Sequence, residues 1–249
     1  MSESNKNTVL YEENDGVAVI RLNRPHVKNA INKEMHRDLY DAFDRARKAD
    51  DVKVILLTGQ ENSFSSGADI KSIPIDEMES FDHGEYLRDT YNKLILLIDS
   101  IEKPVVAHLN GTAVGAGLSI ALACDYRVAS DDAKLALSFF GIGLTPDAGA
   151  SYFLPRLVGL SKAMEIALGG PLSAKEALEV GLIHRIGDPN PLVESLKQAP
   201  APAFAWMKKN MKAGCHLPLD QVLELEVEGQ RQAGKSKAHF MAVSKFIKR

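Results

Sequence analysis

The segment Val52–Thr58 is an apolar run closed by Gly59. It does not alternate between apolar and polar residues, so neither of its faces is suited to water. A strand of this kind sits inside a sheet covered by helices on both sides, which makes it part of a parallel sheet. Parallel strands need crossovers long enough to hold a helix. The chain supplies one directly upstream, where Asn32 is placed to cap a helix running to about Asp50 with Met35, Leu39, Ala42, Phe43 and Ala46 on one face. Before it, Thr8–Glu12 and Val17–Leu22 read as strands joined at Asn14-Asp15-Gly16, where Gly supplies the positive φ of a hairpin turn. Asn23-Arg24-Pro25 ends that pattern.

The same logic repeats downstream. Gln60–Gly67 reads as a polar loop, residues from about Asp76 to Ser100 as helix with Leu94, Leu97 and Ile101 inward, and Pro104–Leu109 as a strand. Leu118–Cys124 reads as a helix of small residues, and Tyr126–Ala129 and Lys134–Leu137 as short strands. Thr145-Pro146-Asp147 opens a helix reaching about Val158, with Thr145 as cap, Pro146 at the first position and the acid favoured by the helix dipole. Ser161–Leu168 and Ser173–Val180 follow as short helices and Ile183–Ile186 as a last strand. The stretch Asp188–Pro202 is the best internal boundary, so an α/β core over 1–190 and a helical segment over 191–249 are expected.

Composition removes several classes of function. A chain of 249 residues, 45% of them hydrophobic, buries enough surface to need no metal or disulfide staple. Cys124 and Cys215 lack metal or disulfide spacing, and the seven His residues form no ligand pattern. A net charge of −3 lacks the basic excess of a nucleic-acid binder. The run Lys208-Lys209-Asn210-Met211-Lys212 reads as a solvated helix face. No window approaches the ~18 apolar residues of a membrane span, and the polar N-terminus does not read as a secretory signal. A cytoplasmic globular protein without membrane, metal or nucleic-acid partners is the expectation.

Two strand-to-helix loops could do more than turn the chain. Phe64-Ser65-Ser66-Gly67-Ala68-Asp69 and Asn110-Gly111-Thr112-Ala113-Val114-Gly115-Ala116-Gly117 are built of small residues, which let a ligand reach main-chain N–H groups. Small residues also serve tight turns and close helix–strand packing. Together, two such loops could supply the convergent donors of an oxyanion hole. A third Gly at Ile120 and a Gly-Lys-Ser/Thr are both missing, which argues against dinucleotide and P-loop folds. Ser119 lacks the second Gly of a nucleophile elbow. Asp147, fixed near a helix start and kept ionised there, is suited to act as a base.

In this order, the segments resemble the crotonase superfamily, the enoyl-CoA hydratases and isomerases. The resemblance runs from about Thr8 to Arg249. It is carried by Leu22-Asn23-Arg24-Pro25 with Asn29-Ala30, by Phe64 through Ile70-Lys71, by Asn110-Gly111 with Gly115-Ala116-Gly117, and by Ala123-Cys124-Asp125. Pro146 with Leu154-Pro155-Arg156-Leu157-Val158-Gly159, and Ser173 through Ala177 with Gly181-Leu182-Ile183, complete it. The resemblance implies an α/β fold, a crotonase-like spiral of ββα units with a helical C-terminal trimerisation region. It implies a homotrimer, or a hexamer built as a dimer of trimers. It implies an acyl-CoA thioester of fatty-acid metabolism as substrate, and no cofactor beyond the coenzyme A carried by that substrate. By position, the backbone N–H groups of Ala68 and Ala116 would form the oxyanion hole. Lys28, Ser66, Gly67, Asp69, Ile70, Lys71, Gly115 and Gly117 would line the CoA site.

The departures bear on the reaction. Where hydratases of the family place two glutamates, this chain has Ser119 and Phe139. It carries Asp147 instead, in a Gly-Leu-x-Pro-Asp-x-Gly pattern similar to that of the 1,2-epoxyphenylacetyl-CoA isomerase type. An acyl-CoA isomerase that shifts a double bond with Asp147 as its single acid/base is therefore expected. The alternatives are an enoyl-CoA hydratase, drawing a second acid from Asp76–Glu85 or an ordered water, and a non-catalytic acyl-CoA-binding protein. The stretch Pro191–Pro202 is shorter than the family's usual helix there.

Overall fold

The computed structural model describes residues 7–72 and 79–247. In chain order its elements are β1 (Val9–Asn14), β2 (Val17–Leu22), α1 (Lys33–Lys48), β3 (Val54–Gly59), β4 (Ser63–Ser65), α2 (His83–Asp89), α3 (Tyr91–Ser100), β5 (Val105–Leu109), β6 (Thr112–Val114), α4 (Ala116–Ala123), β7 (Tyr126–Ala129) and β8 (Lys134–Ala136). There follow α5 (Ala150–Val158), α6 (Leu160–Leu168), β9 (Leu172–Ser173), α7 (Ala174–Glu179), β10 (Arg185–Ile186), α8 (Asn190–Lys197), α9 (Ala201–Gly214), α10 (Leu219–Gly234) and α11 (Lys237–Ile247).

From β3 to β8, successive strands go alternately to two sheets. A six-stranded sheet has the order β1-β2-β3-β5-β7-β10 and a four-stranded one the order β4-β6-β8-β9. Each strand–strand–helix turn thus adds β3, β5 or β7 to the first sheet and β4, β6 or β8 to the second, which is the α/β spiral of ββα units. Pairing is parallel except at β1–β2 and β8–β9. The β1–β2 hairpin closes through Asp15 (φ 46°) and Gly16 (φ 78°), the double positive φ that matches the twist of its strands.

Central strand β3 is buried along its whole length. Ile55 and Leu57 join the main core with α1 and α3. Val54 and Leu56 face the other way, onto Leu192, Val193 and Leu196 of α8 and Phe204 of α9. The segment after residue 190 therefore begins as part of the core, covering the second face of the sheet. Lys208 in α9 is buried as well and pairs with Asp125 at 2.8 Å, so it is a core ion pair and not part of a solvated basic face.

Helix α4 is buried all round. Its C-terminal end is held by Arg127, which is 1% exposed. The guanidinium donates to the carbonyls of Cys124 at 2.7 Å and Leu182 at 2.8 Å, with longer bonds to Ala121 and Leu122. A cation against the last carbonyls of a helix is favourable, although burial lowers the Arg127 pKa to about 10.

Three local expectations are corrected. The helix expected to start at Thr145 starts at Ala150, because Ala148 (φ 49°) and Gly149 (φ 82°) make a left-handed turn first. The single helix expected before Ser100 is two, α2 and α3, which meet at Thr90. Within the presumed loops, three-residue strands form at β4 and β6.

Candidate active site

The first small-residue loop is held in shape by a buried asparagine. Asn29 has φ 55° and is fully buried. Its amide donates to the Ser63 carbonyl at 2.7 Å and its oxygen accepts the Arg24 N–H at 2.9 Å. Ser65 Oγ donates to the Asn29 carbonyl at 2.8 Å and accepts the Gly67 N–H at 3.1 Å. Ile31 then bridges the loop in parallel fashion, donating to the Gly67 carbonyl and accepting from Asp69 N–H. In such a bridge the N–H of the middle residue points away from the partner. That residue is Ala68, and no group among the described residues accepts its N–H.

The second loop ends at Gly115 (φ 54°), whose N–H donates to the Ala136 carbonyl at 2.9 Å. Ala116 is the first residue of α4, where N–H groups have no intrahelical acceptor. Its N–H too has no partner among the described residues. The two loops touch. A Cβ added at Gly67 would lie 3.5 Å from the Ala116 nitrogen and 2.9 Å from the Val114 carbonyl oxygen. A Cβ at Gly117 would lie 2.6 Å from Ser65 Cβ. The glycines are what let two unused N–H donors, one from each loop, come from adjoining backbone.

Asp147 lies in the turn before α5, not in the helix, and its carbonyl accepts the Ala150 N–H at 2.9 Å. Its Oδ1 is buried without a hydrogen-bond partner. Burial raises its pKa to about 6, so it is not a helix start that holds the carboxylate in its charged form, as expected from the sequence. With neither dipole nor donor to favour the charged form, desolvation decides the shift. The turn is tied to α3, since a Cβ at Gly149 would meet Ile95 Cγ2 at 3.1 Å.

The remaining residues divide by what engages them. Lys28 and Lys71 are both exposed on the rim of the first loop, where Ser66 donates its N–H to the Lys28 carbonyl at 2.9 Å. Ile70 beside Lys71 is 42% exposed. Asp69 is occupied otherwise: Arg24 pairs with it at 2.7 Å and also donates to the Ala30 carbonyl at 2.6 Å, clamping the loop. Ser119 is buried and gives its hydroxyl to the Gly115 carbonyl at 3.2 Å, and Phe139 is buried. The positions of the missing glutamates thus offer no proton-transfer group. Of the acids expected from Asp76–Glu85, Asp76 and Glu77 lie outside the described residues. Asp82 caps α2 by accepting the Glu85 N–H, and Glu85 pairs with Arg88 on the surface. Sequence reasoning missed Asn29 as the organiser of the loop, and it missed Tyr91, whose buried hydroxyl has no partner. Neither residue has a local signal, since each acts through contacts distant in sequence.

The profile of the enoyl-CoA hydratase/isomerase family matches residues 12–249. A probable enoyl-CoA hydratase of Rhodobacter capsulatus is 37% identical, covering 97% of this chain and 95% of its own length. The 1,2-epoxyphenylacetyl-CoA isomerase of Escherichia coli is 34% identical, covering 96% and 95%. The crystal structure of an enoyl-CoA hydratase from Thermoplasma volcanium superposes with a TM-score of 0.89 at 31% identity, covering 96% and 97%.

Proposed function

Because the chain is an enzyme of the enoyl-CoA hydratase/isomerase family, within the crotonase superfamily, we propose that it is an acyl-CoA isomerase using Asp147 as its single acid and base. The observation that carries this reading is the half-buried Asp147 carboxylate, with one oxygen unpartnered and a pKa near 6. A base poised near neutrality takes a proton well and returns it well. The thioester carbonyl accepts the N–H groups of Ala68 and Ala116. As Asp147 removes an α- or γ-proton, negative charge develops on that oxygen and the two donors stabilise it, each worth ~10²–10³ in rate. The protonated carboxyl then delivers the proton to the other carbon, and the double bond has moved. Water addition needs a second proton-handling group, which Ser119 and Phe139 do not supply.

Lys28 and Lys71 are assigned to the phosphates of coenzyme A, with Lys71 foremost, and Ser66, Gly67, Ile70, Gly115 and Gly117 to the backbone lining. Asp69 serves the site through its clamp to Arg24. The chain is assigned a trimeric assembly, alone or as a pair of trimers. In support, Leu160, Met164 and Leu168 on α6 and Leu219, Leu223 and Val227 on α10 form exposed apolar stripes at four-residue spacing. Contiguous exposed apolar stripes are features of interfaces.

The test is Asp147→Asn, assayed with 3-enoyl-CoA for double-bond migration and with 2-enoyl-CoA for hydration. Loss of migration by about 10³-fold or more is expected, in line with removal of a general base and acid. Undiminished migration, or hydration by the wild type that outpaces migration, contradicts the isomerase reading. A wild type that binds acyl-CoA but performs neither reaction identifies the non-catalytic alternative.

A further inference from the structure

Among the described residues, Asp15, Lys28, Asn29, Glu61, Ser138 and Ala148 have a positive φ without being glycine. That region is sterically costly for any residue with a Cβ, and short polar side chains offset the cost by bonding nearby backbone. Ala148 has no polar atom with which to do so. Its φ of 49° is followed by 82° at Gly149, and the Asp147 carbonyl accepts the Ala150 N–H at 2.9 Å. These are the marks of a type I′ turn with Asp147 first and Ala148 second, a position that ordinarily takes Asn, Asp or Gly. Glycine is required at 149, since a Cβ there would lie 2.8 Å from the Phe153 ring. Alanine is not required at 148, where glycine would relieve the strain.

What the alanine methyl gains is burial, because Ala148 is 3% exposed and belongs to the main core. One buried methyl does not outweigh the cost of the left-handed region, so stability alone favours glycine here. Strained residues persist where their surroundings over-determine them, and they collect at functional sites. This one adjoins Asp147, whose Oδ1 is buried without a partner. With no hydrogen bond to hold that oxygen, the direction of the carboxylate is set by the backbone that carries it. We propose that Ala148 is a positioning residue for Asp147: its methyl, seated in the core, locks the turn in one conformation and so holds the carboxylate away from water. Glycine at 148 would leave the peptide units of the turn free to rotate, since it takes either sign of φ. The inference rests on the reading of Asp147 as the base and extends it to the residue that keeps that base desolvated. Charged neighbours do not supply the same effect. Helix α4 has no titratable side chain. Tyr152 and Arg156 of α5 engage His216 at the surface. On α3, Lys93 and Asp99 pair with Asp89 and Lys212, and burial keeps the Tyr91 phenol protonated.

The test is Ala148→Gly. The Asp147 carboxyl is titrated by NMR of the carboxyl carbons in aspartate-labelled protein, its signal assigned by its absence from Asp147→Asn. Tm and the kinetics of 3-enoyl-CoA migration are measured alongside. The Asp147 midpoint is expected to fall from near 6 by about one pH unit or more, as water reaches the carboxylate. Tm should hold or rise. The kcat should fall about tenfold or more with KM within about twofold, the pattern of a displaced base and not of lost binding. An unchanged midpoint in the variant overturns the proposal whatever Tm does, because the methyl then only packs. A wild-type midpoint near the ordinary 3.8 overturns it too. So does an equal shift in Ala150→Gly, which removes a methyl buried as deeply at the start of α5, since any loosening of that helix would then suffice. The titration needs no turnover. A midpoint that falls while migration is unaffected upholds the role of Ala148 and counts against Asp147 as the base, so the two failures are told apart.

Discussion

Asp147 combines two demands that conflict. The base role proposed for it draws on burial without a hydrogen-bond donor, and the same burial makes its charged form costly. The linkage has a definite sign. A carboxyl whose folded pKa stands near 6, against 3.8 for the ordinary group, favours the folded state only while it is protonated. That contribution is complete below the ordinary pKa and is lost as pH rises through about 6. Asp147→Asn is accordingly expected to raise stability above pH 7 by about 1–2 kcal/mol, a figure discounted for solvent screening of a half-buried group. Urea unfolding of both proteins at pH 5 and pH 8 checks this, and a gain confined to pH 5 contradicts it. Activity should move oppositely: kcat/KM for double-bond migration rises with pH along a limb near 6 as the base ionises. A flat profile between pH 5 and 7 excludes Asp147 as that base.

At the scale of elements, α4 links the fold to the proposed chemistry. Its first N–H is one of the two donors, and its last carbonyls are satisfied by buried Arg127. Arg127→Met keeps the bulk but strands those acceptors, so a loss of about 3 kcal/mol or more is expected, since each unsatisfied buried acceptor costs ~1–3 kcal/mol. Thermal or urea unfolding measures it, and a change below 1 kcal/mol shows that the carbonyls have another recourse. Much at this scale was legible in the sequence. Asn32 caps α1 by accepting the Met35 N–H, and the helix buries Met35, Leu39, Ala42, Phe43 and Ala46 as its periodicity predicts. The double-sided burial of β3 followed from its unbroken apolar run. Strands β4 and β6 were not legible, because three residues are too few for a period. The start of α5 was misplaced because Thr145-Pro146-Asp147 has good helix-start chemistry, yet Gly149 packs against Ile95 and Phe153 in a left-handed turn. Of the candidate site, the two loops and Asp147 stood out as motifs. The Asn29 scaffold and the Arg24–Asp69 clamp depend on pairings 34 and 45 residues apart in sequence, and the burial of the Tyr91 hydroxyl on packing, which no local pattern encodes.

At the scale of the whole molecule, two sheets and the helix layers bring backbone from the first and second spiral turns against each other, so glycines at 67 and 117 are contacts between turns and not local flexibility. The same architecture leaves the stripes on α6 and α10 outward. A trimer predicts a light-scattering mass three times that of one chain, or six times for paired trimers. Met164→Glu and Leu223→Glu together should shift it toward the monomer. A wild-type monomer at micromolar concentration contradicts the assembly.

The central claim is that one carboxylate carries a proton from one carbon to another. It is tested most directly by a single turnover of 3-enoyl-CoA doubly deuterated at the α-carbon, in ordinary water, with the product analysed for label. The account predicts deuterium at the γ-carbon of the 2-enoyl product from the wild type and no product from Asp147→Asn. A γ-hydrogen drawn wholly from solvent, with migration persisting in Asp147→Asn, contradicts it.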